Sequence, residues 1–175
     1  MVKFFSALVI LIPLLSAQAE TLTGRVVSVA DGDTVTVLDA TNTQHKIRVA
    51  GIDAPEKKQA FGNRSKDNLA ELVAGKDVSV EWTKRDRYQR IVGKIMVAKP
   101  SCTAADCPKT VDAGLAQIRT GLAWWYEKYA KEQLPGDAAA YAAAEALARG
   151  QTAGLWRDKD PMPPWEFRDS AKAKL

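Results

Sequence analysis

Asp31-Gly-Asp-Thr-Val-Thr-Val-Leu-Asp-Ala-Thr-Asn-Thr-Gln-His-Lys-Ile-Arg-Val-Ala-Gly-Ile-Asp-Ala-Pro-Glu56 is the stretch around which the chain is organised. Its first apolar run, Val35 to Leu38, alternates as a half-buried strand does, and a second run ends in Ile47, Arg48 and Val49. Ala40 to Thr43 supplies turn residues between them, so the two runs pair most simply as a hairpin. Antiparallel pairing brings the start of one strand beside the finish of the other. Asp33 at that start, and Asp53 and Glu56 just past that finish, then converge at one edge of a sheet. Asp-Gly and Asp-Ala-Pro-Glu are ordinary turn sequences when each is taken alone. Arg48 shifts the balance, because it is an ionic residue inside an apolar strand and approaches the same corner. Three carboxylates and a guanidinium in so small a volume suit a hard cation together with a phosphate.

Upstream of this stretch, Lys3 precedes an apolar run from Phe4 to Leu15, and Ala17-Gln18-Ala19 offers small residues to a peptidase. That pattern predicts a signal peptide over residues 1–19, cleaved after Ala19, and a periplasmic or secreted protein without stable membrane association. Cleavage leaves 24 basic residues against 21 acidic ones, a formal +3 in place of +4, a mild excess compatible with a polyanionic substrate. Residues 20–175 suffice for one domain with its own core, expected over about 21–157 and followed by a proline-rich tail, 158–175. Lys84 to Arg90 sets four cations around Tyr88. Such a run is commonly a solvated turn, and arginine beside an aromatic ring is also how phosphates and stacked bases are held. Cys102 and Cys107 fall in one short segment, and in an oxidising compartment they are expected to form a disulfide.

Taken in order, Leu22 to Val29 reads as a first strand and the hairpin supplies the second and third. From Asn63 the spacing of Leu69, Leu72 and Val73 becomes helical, with Gly75 as its end. Val78 to Trp82 and Ile91 to Val97 are two further strands around the cationic turn. Val111 to Thr120 predicts a short amphipathic helix with Leu115 and Ile118 inward, stopped at Gly121. Leu122 to Tyr129 is an aromatic segment, and Asp137 is placed to cap an alanine-rich helix that runs to Arg149. Gly154-Leu-Trp156 docks the end of that helix, and the tail from Pro161 to Phe167 wraps the surface. Five short strands followed by helices imply a small α+β domain.

The chain has one histidine, His45, in a polar setting that reads as surface. Chemistry needing two imidazoles, or a histidine-rich zinc site, is therefore excluded. What remains is carboxylates, arginines and a tyrosine, a set that selects calcium, magnesium or manganese and can polarise a phosphodiester.

D-G-D-T, then R-V-A-G-I-D-A-P-E, then D-R-Y-Q-R, in that order, closely resemble the staphylococcal nuclease (thermonuclease) family, from about Thr21 to the P-P-W-E-F-R tail. The resemblance implies an OB-fold, a five-stranded Greek-key β-barrel, with about three helices. It implies calcium-dependent, sugar-non-specific hydrolysis of DNA and RNA, single-stranded or unpaired by preference, to 3′-phosphate products. By the same resemblance, Asp33 and Asp53 are the calcium carboxylates, and Asp31 is the acid just outside the coordination sphere. Thr34 completes the shell through its backbone or a water. Arg48 and Arg90 grip the scissile phosphate, and Glu56 orients or deprotonates the attacking water. Arg87 and Tyr88 contact the nucleotide, as does Tyr129, with Tyr126 as the alternative. Ala54 replaces a threonine of the best-known member at a position that contributes its carbonyl, and Gln89 stands where glycine is frequent.

Two other readings stay open on the sequence. One is a nucleic-acid-binding OB-type module of the cell envelope that is catalytically weak, although such modules lose the acids or arginines kept here. The other, a cation-dependent binding protein of the envelope, leaves Arg48 and Arg90 without a task. A monomer meets every requirement of these readings.

Overall fold

The computed structural model describes residues 20–104 and 106–173; the expected signal segment lies outside them. Alternation of small apolar and polar side chains forms the strands, and one parallel pairing closes them. β1 (Glu20–Val29), β2 (Thr34–Leu38) and β3 (Gln44–Val49) form an antiparallel meander. β5 (Asp77–Arg85) and β6 (Ile91–Ala98) continue it on the other side of β1. β3 then pairs in parallel with β6, Ile47 facing Ile91 and Val49 facing Gly93, and the five strands become a closed barrel. Along β6 the odd positions Ile91, Gly93, Ile95 and Val97 are buried and the even ones are not, the period of two that puts one face of the strand inside. Val26, Val35, Val37, Ile47, Val78 and Val80 meet them in a common core. Each fully buried aliphatic side chain contributes about 1.5–3 kcal/mol.

Among the described residues, four α-helices surround the barrel. α1 (Gly62–Val73) buries Leu69 and Val73. α2 (Ala113–Arg119) starts at Asp112, whose carboxylate accepts the Leu115 N–H at 3.0 Å, and buries Ile118. α3 (Asp137–Gly150) buries Tyr141, Ala144 and Ala148. α4 (Pro164–Lys172) follows a run of prolines. The strand β4 (Ile52–Asp53) pairs with β8 (Trp124–Trp125), and β7 (Lys109–Asp112) joins β6 at the sheet edge. Among the described residues no helix is long and apolar enough to cross a membrane.

The barrel of five strands is as expected, and the differences lie outside it. Val111 belongs to β7 rather than to a helix, because its backbone pairs with Val97. Asp137 does not cap α3: Gly136, at φ 88°, takes that position without a side-chain bond. The Asp137 carboxylate is drawn instead to Lys94, at 2.8 Å. The tail, for which the sequence pattern specifies no element, is helical over Pro164–Lys172, since proline at the first helical position is preorganised for a helix. Cys102 and Cys107 are joined, closing the loop between β6 and β7. So short a crosslink contributes about 2 kcal/mol in the chain-entropy view.

A second, smaller core holds the C-terminal third. Trp124 meets Trp156 edge-on at 4.4 Å and Trp165 at 5.6 Å, with Leu155 and Ala148 filling between. Arg149 lies 4.2 Å over the Trp156 ring. Gly121 and Gly154 make this docking possible. Both have positive φ, 67° and 53°, and a Cβ on Gly154 would stand 2.2 Å from the Gly121 carbonyl oxygen.

Candidate active site

The hairpin register builds the predicted corner. Thr34 faces Arg48 across β2 and β3, and the Val49 N–H donates to the Asp33 carbonyl at 2.8 Å, fixing Asp33 at the strand start. β4 carries Asp53 back to the same edge, buried behind its pairing with Trp124. Arg48 bridges the two acids. Its Nη1 stands 3.1 Å from Asp33 Oδ2 and its Nη2 2.9 Å from Asp53 Oδ1. Nη1 also donates to the carbonyls of Val49 and Ile52, so the guanidinium is held by backbone as well as by charge.

Around Asp33 stand Thr34, Ala54 and Asp31. The Thr34 hydroxyl donates to Asp33 Oδ1 at 3.0 Å, the Ala54 N–H to Oδ2 at 2.8 Å, and the Asp33 N–H to Asp31 Oδ1 at 3.1 Å. Gly32 lets α1 come close: a Cβ there would stand 1.9 Å from Ser65 Oγ. Buried Gln117 then ties the loop down, donating to the Gly32 carbonyl at 2.7 Å and the Ser65 carbonyl at 2.9 Å.

The electrostatics of this corner are unbalanced. Burial pushes the Asp33 carboxyl up to about 7, in spite of the Arg48 guanidinium, and the neighbouring Asp31 and Asp53 charges push the same way. A buried carboxylate whose ionisation is resisted, with a second buried carboxylate beside it, gains from a divalent cation. The donors are oxygens alone. His45 lies at the far end of the hairpin with its Nε2 2.7 Å from Asp39 Oδ2, and both cysteines are in the disulfide. Among the described residues, no group of three or more His, Cys, Asp or Glu side chains forms a ready cage. Asp33 and Asp53 could hold a cation only if backbone oxygen or water filled the rest of its shell, a donor set that would suit calcium or magnesium rather than zinc.

A groove of about 780 Å³ opens from the corner, and Arg87, Tyr88, Arg90, Tyr126 and Tyr129 line it. Arg90 is not bonded to the carboxylate corner. Asp86, four residues earlier, holds it: Oδ2 accepts from Arg90 Nε at 2.7 Å, while Oδ1 accepts the Tyr88 and Arg90 N–H groups, both at 2.9 Å. Burial pushes the Asp86 carboxyl up, but these bonds outweigh it and leave the carboxyl below its usual value. Gln89 adopts φ 63° to close the turn where glycine would do so without strain. Tyr88 is 66% exposed, with Arg87 and Arg90 at 5.1 and 5.5 Å from its ring centre. Tyr129, also lining the groove, is 39% exposed, while Tyr126 is half-buried and stacks on Trp165 at 5.3 Å.

Glu56 reaches the corner through a residue that the sequence pattern does not place there. Arg168, on α4, donates to Glu56 Oε1 at 2.8 Å and to both oxygens of Asp53, at 3.2 and 2.7 Å. Pro163-Pro164 before an aromatic-rich segment is a helix-start signal, and Arg168 lies on the helix face of Trp165, three residues on. Asp86, the first residue of D-R-Y-Q-R, and Gln117 are further site residues to which the motifs assign no role. The Asp86–Arg90 spacing is a usable signal, whereas nothing local marks Gln117.

Residues 46–158 match the family described as staphylococcal nuclease homologue. The chain belongs to the staphylococcal nuclease family. Within it, the chain is 42% identical over 146 residues to an uncharacterized endonuclease of Escherichia coli, covering 83% of this chain and 84% of that one. It is 37% identical over 167 residues to the micrococcal nuclease of Shigella flexneri, covering 95% and 91%. A staphylococcal-like nuclease, CAN1 of Arabidopsis thaliana, is 34% identical over 127 residues, 73% of this chain and 34% of that longer one. The segment matched to the staphylococcal nuclease family begins in β3 and ends before α4, so Asp33 precedes it and Arg168 follows it.

Proposed function

We propose that this member of the staphylococcal nuclease family is an exported, monomeric, calcium-dependent endonuclease. It hydrolyses phosphodiester bonds of DNA and RNA, single-stranded or unpaired by preference, and leaves 3′-phosphates. Family membership and the named nuclease relatives support hydrolysis of nucleic acid. The observation that carries the finer reading is the buried Asp33–Arg48–Asp53 bridge at the mouth of a groove walled by arginines and tyrosines.

Asp33 and Asp53 would hold calcium, which when bound would supply the charge that polarises the phosphodiester. Arg48, fixed by two carbonyls, offers a permanent positive charge that needs no reorganisation as charge develops on the phosphate. Arg90 is steered through Nε by Asp86, and among the described residues neither of its Nη groups has a hydrogen-bond partner. That terminal pair is the fork a phosphate takes up bidentately. Glu56, half-buried at the rim, accepts the proton of the attacking water or orients it. Tyr88 and Tyr129 offer exposed ring faces to bases, which every base can use, in keeping with indifference to sequence.

The test is cleavage of single-stranded DNA and RNA by the purified protein in calcium and in chelator, followed by identification of the product ends. Calcium-dependent products with 3′-phosphates on both substrates are expected. Binding without cleavage would make the chain a binding module instead. Export is checked by the intact mass of protein recovered outside the cytoplasm, which should lack residues 1–19.

A further inference from the structure

α4 brings a further guanidinium to the corner, and its fork is fixed on the carboxylates. Arg168 takes both oxygens of Asp53 and one of Glu56, while Arg48 shares Asp53 Oδ1. The Asp53 side chain is only 1% exposed, so no open side remains from which a cation could reach it. A cation that binds an Asp53 oxygen must displace a guanidinium. Arg48 is poorly placed to leave, since its Nη1 is anchored by two carbonyls and by Asp33. Arg168 is 37% exposed, and the carboxylates of Asp53 and Glu56 are its hydrogen-bond partners. Its helix is seated independently, through Trp165 on Tyr126 and Trp124 and through the Gln59 side chain, which donates to the Met162 carbonyl at 2.6 Å.

We infer that Arg168 is a resident counter-ion of the active site, exchanged for calcium as the cation binds, and therefore the residue that sets how much calcium the enzyme needs. This rests on Asp33 and Asp53 being the calcium carboxylates. The exchange needs only a side-chain swing toward the groove, because the aromatic seat of α4 does not pass through Arg168. Charge moves in a definite sense. The single guanidinium charge is shared by Asp53 and Glu56 until calcium takes over Asp53, and Glu56 is then released to act on water. Arg168 lies beyond the residues matched to the family, so this control belongs to the C-terminal helix rather than to the matched segment.

The experiment is calorimetric titration of the purified protein with calcium chloride alone, for wild type, Arg168→Gln and Arg168→Lys, with thermal melts in calcium and in chelator. Loss of a charge-assisted competitor should tighten calcium binding about tenfold or more in Arg168→Gln. Arg168→Lys, which keeps charge but cannot bridge both carboxylates with one fork, should tighten it by less. In chelator Arg168→Gln should melt below wild type, and calcium should close that gap. An unchanged or weaker calcium affinity in both variants, with melts lowered equally in calcium and in chelator, would show a merely structural arginine and overturn the inference alone. Absence of calcium binding to wild type would overturn both the inference and the calcium reading beneath it. Should the glutamine variant not fold, the affinity of Arg168→Lys against wild type decides between the same outcomes.

Discussion

Arg90 does its work on a short tether. Asp86 accepts from its Nε and also closes the turn through two backbone N–H groups, so one carboxylate sets both the loop and the aim of the fork. Arg90→Lys keeps the charge and loses the paired donors, and should lower kcat by about a hundredfold, the scale of removing one preorganised donor. Asp86→Asn isolates the aim, because an amide oxygen can still accept the backbone N–H groups while its NH2 cannot accept from Nε. It should cost about tenfold or more in kcat, with KM and melting temperature changing little. Steady-state kinetics on a single-stranded oligonucleotide separate these outcomes. Glu56→Gln should lower kcat by about 10²–10⁴ and steepen the rise of rate with pH, because hydroxide from solution then replaces the assisted water. A pH–rate profile parallel to wild type, with kcat little changed, would remove Glu56 from the mechanism.

At the scale of elements, the contact between α3 and β8 carries the pH dependence most open to measurement. Burial raises the Glu145 carboxyl above its ordinary 4.5, against the pull of the Trp125 N–H and of Arg149. A carboxyl bound to its proton more tightly when folded favours the native state in acid, and that stabilisation is lost as pH rises through the folded value. Glu145→Gln keeps an acceptor for the Trp125 N–H, 3.0 Å away in the wild type, and removes the titration. The variant should gain stability relative to wild type as pH climbs from about 4.5, and urea melts across that range would show it. The elements legible in the sequence are those written in a local period. The alternation of Val35 and Val37 and the reversal at Ala40 to Thr43 specify the hairpin, and with it the placement of Asp33, Arg48 and Asp53. β7 is not legible, because Val111 is fixed by pairing with Val97 across the cysteine loop and its own pattern is equally helical. Asp137 looks like a cap in sequence for a similar reason: Lys94, far away along the chain, competes for its carboxylate.

For the whole molecule, the barrel and the aromatic core are built without any contribution from the site, and Arg48 and Arg168 already balance part of its charge. Chelation should therefore stop cleavage and leave far-UV circular dichroism nearly unchanged. Loss of the folded signal would mean that the cation holds the domain together. Long-range placement is also what hides Arg168 and Gln117, which reach the corner from 115 and 85 residues away in sequence. Sequence distance of that order leaves no periodic trace. Asp33, Asp53, Arg48 and Glu56 are expected to act as one cation-dependent catalytic corner, and the calcium dependence of DNA cleavage by wild type and Asp53→Asn measures this. The variant keeps the shape of the buried side chain and removes its charge. It should need markedly more calcium for half-maximal rate and recover only part of the wild-type rate at saturation. A calcium curve indistinguishable from wild type, or cleavage by either protein in chelator, would mean that Asp53 and a bound cation are not part of the catalyst.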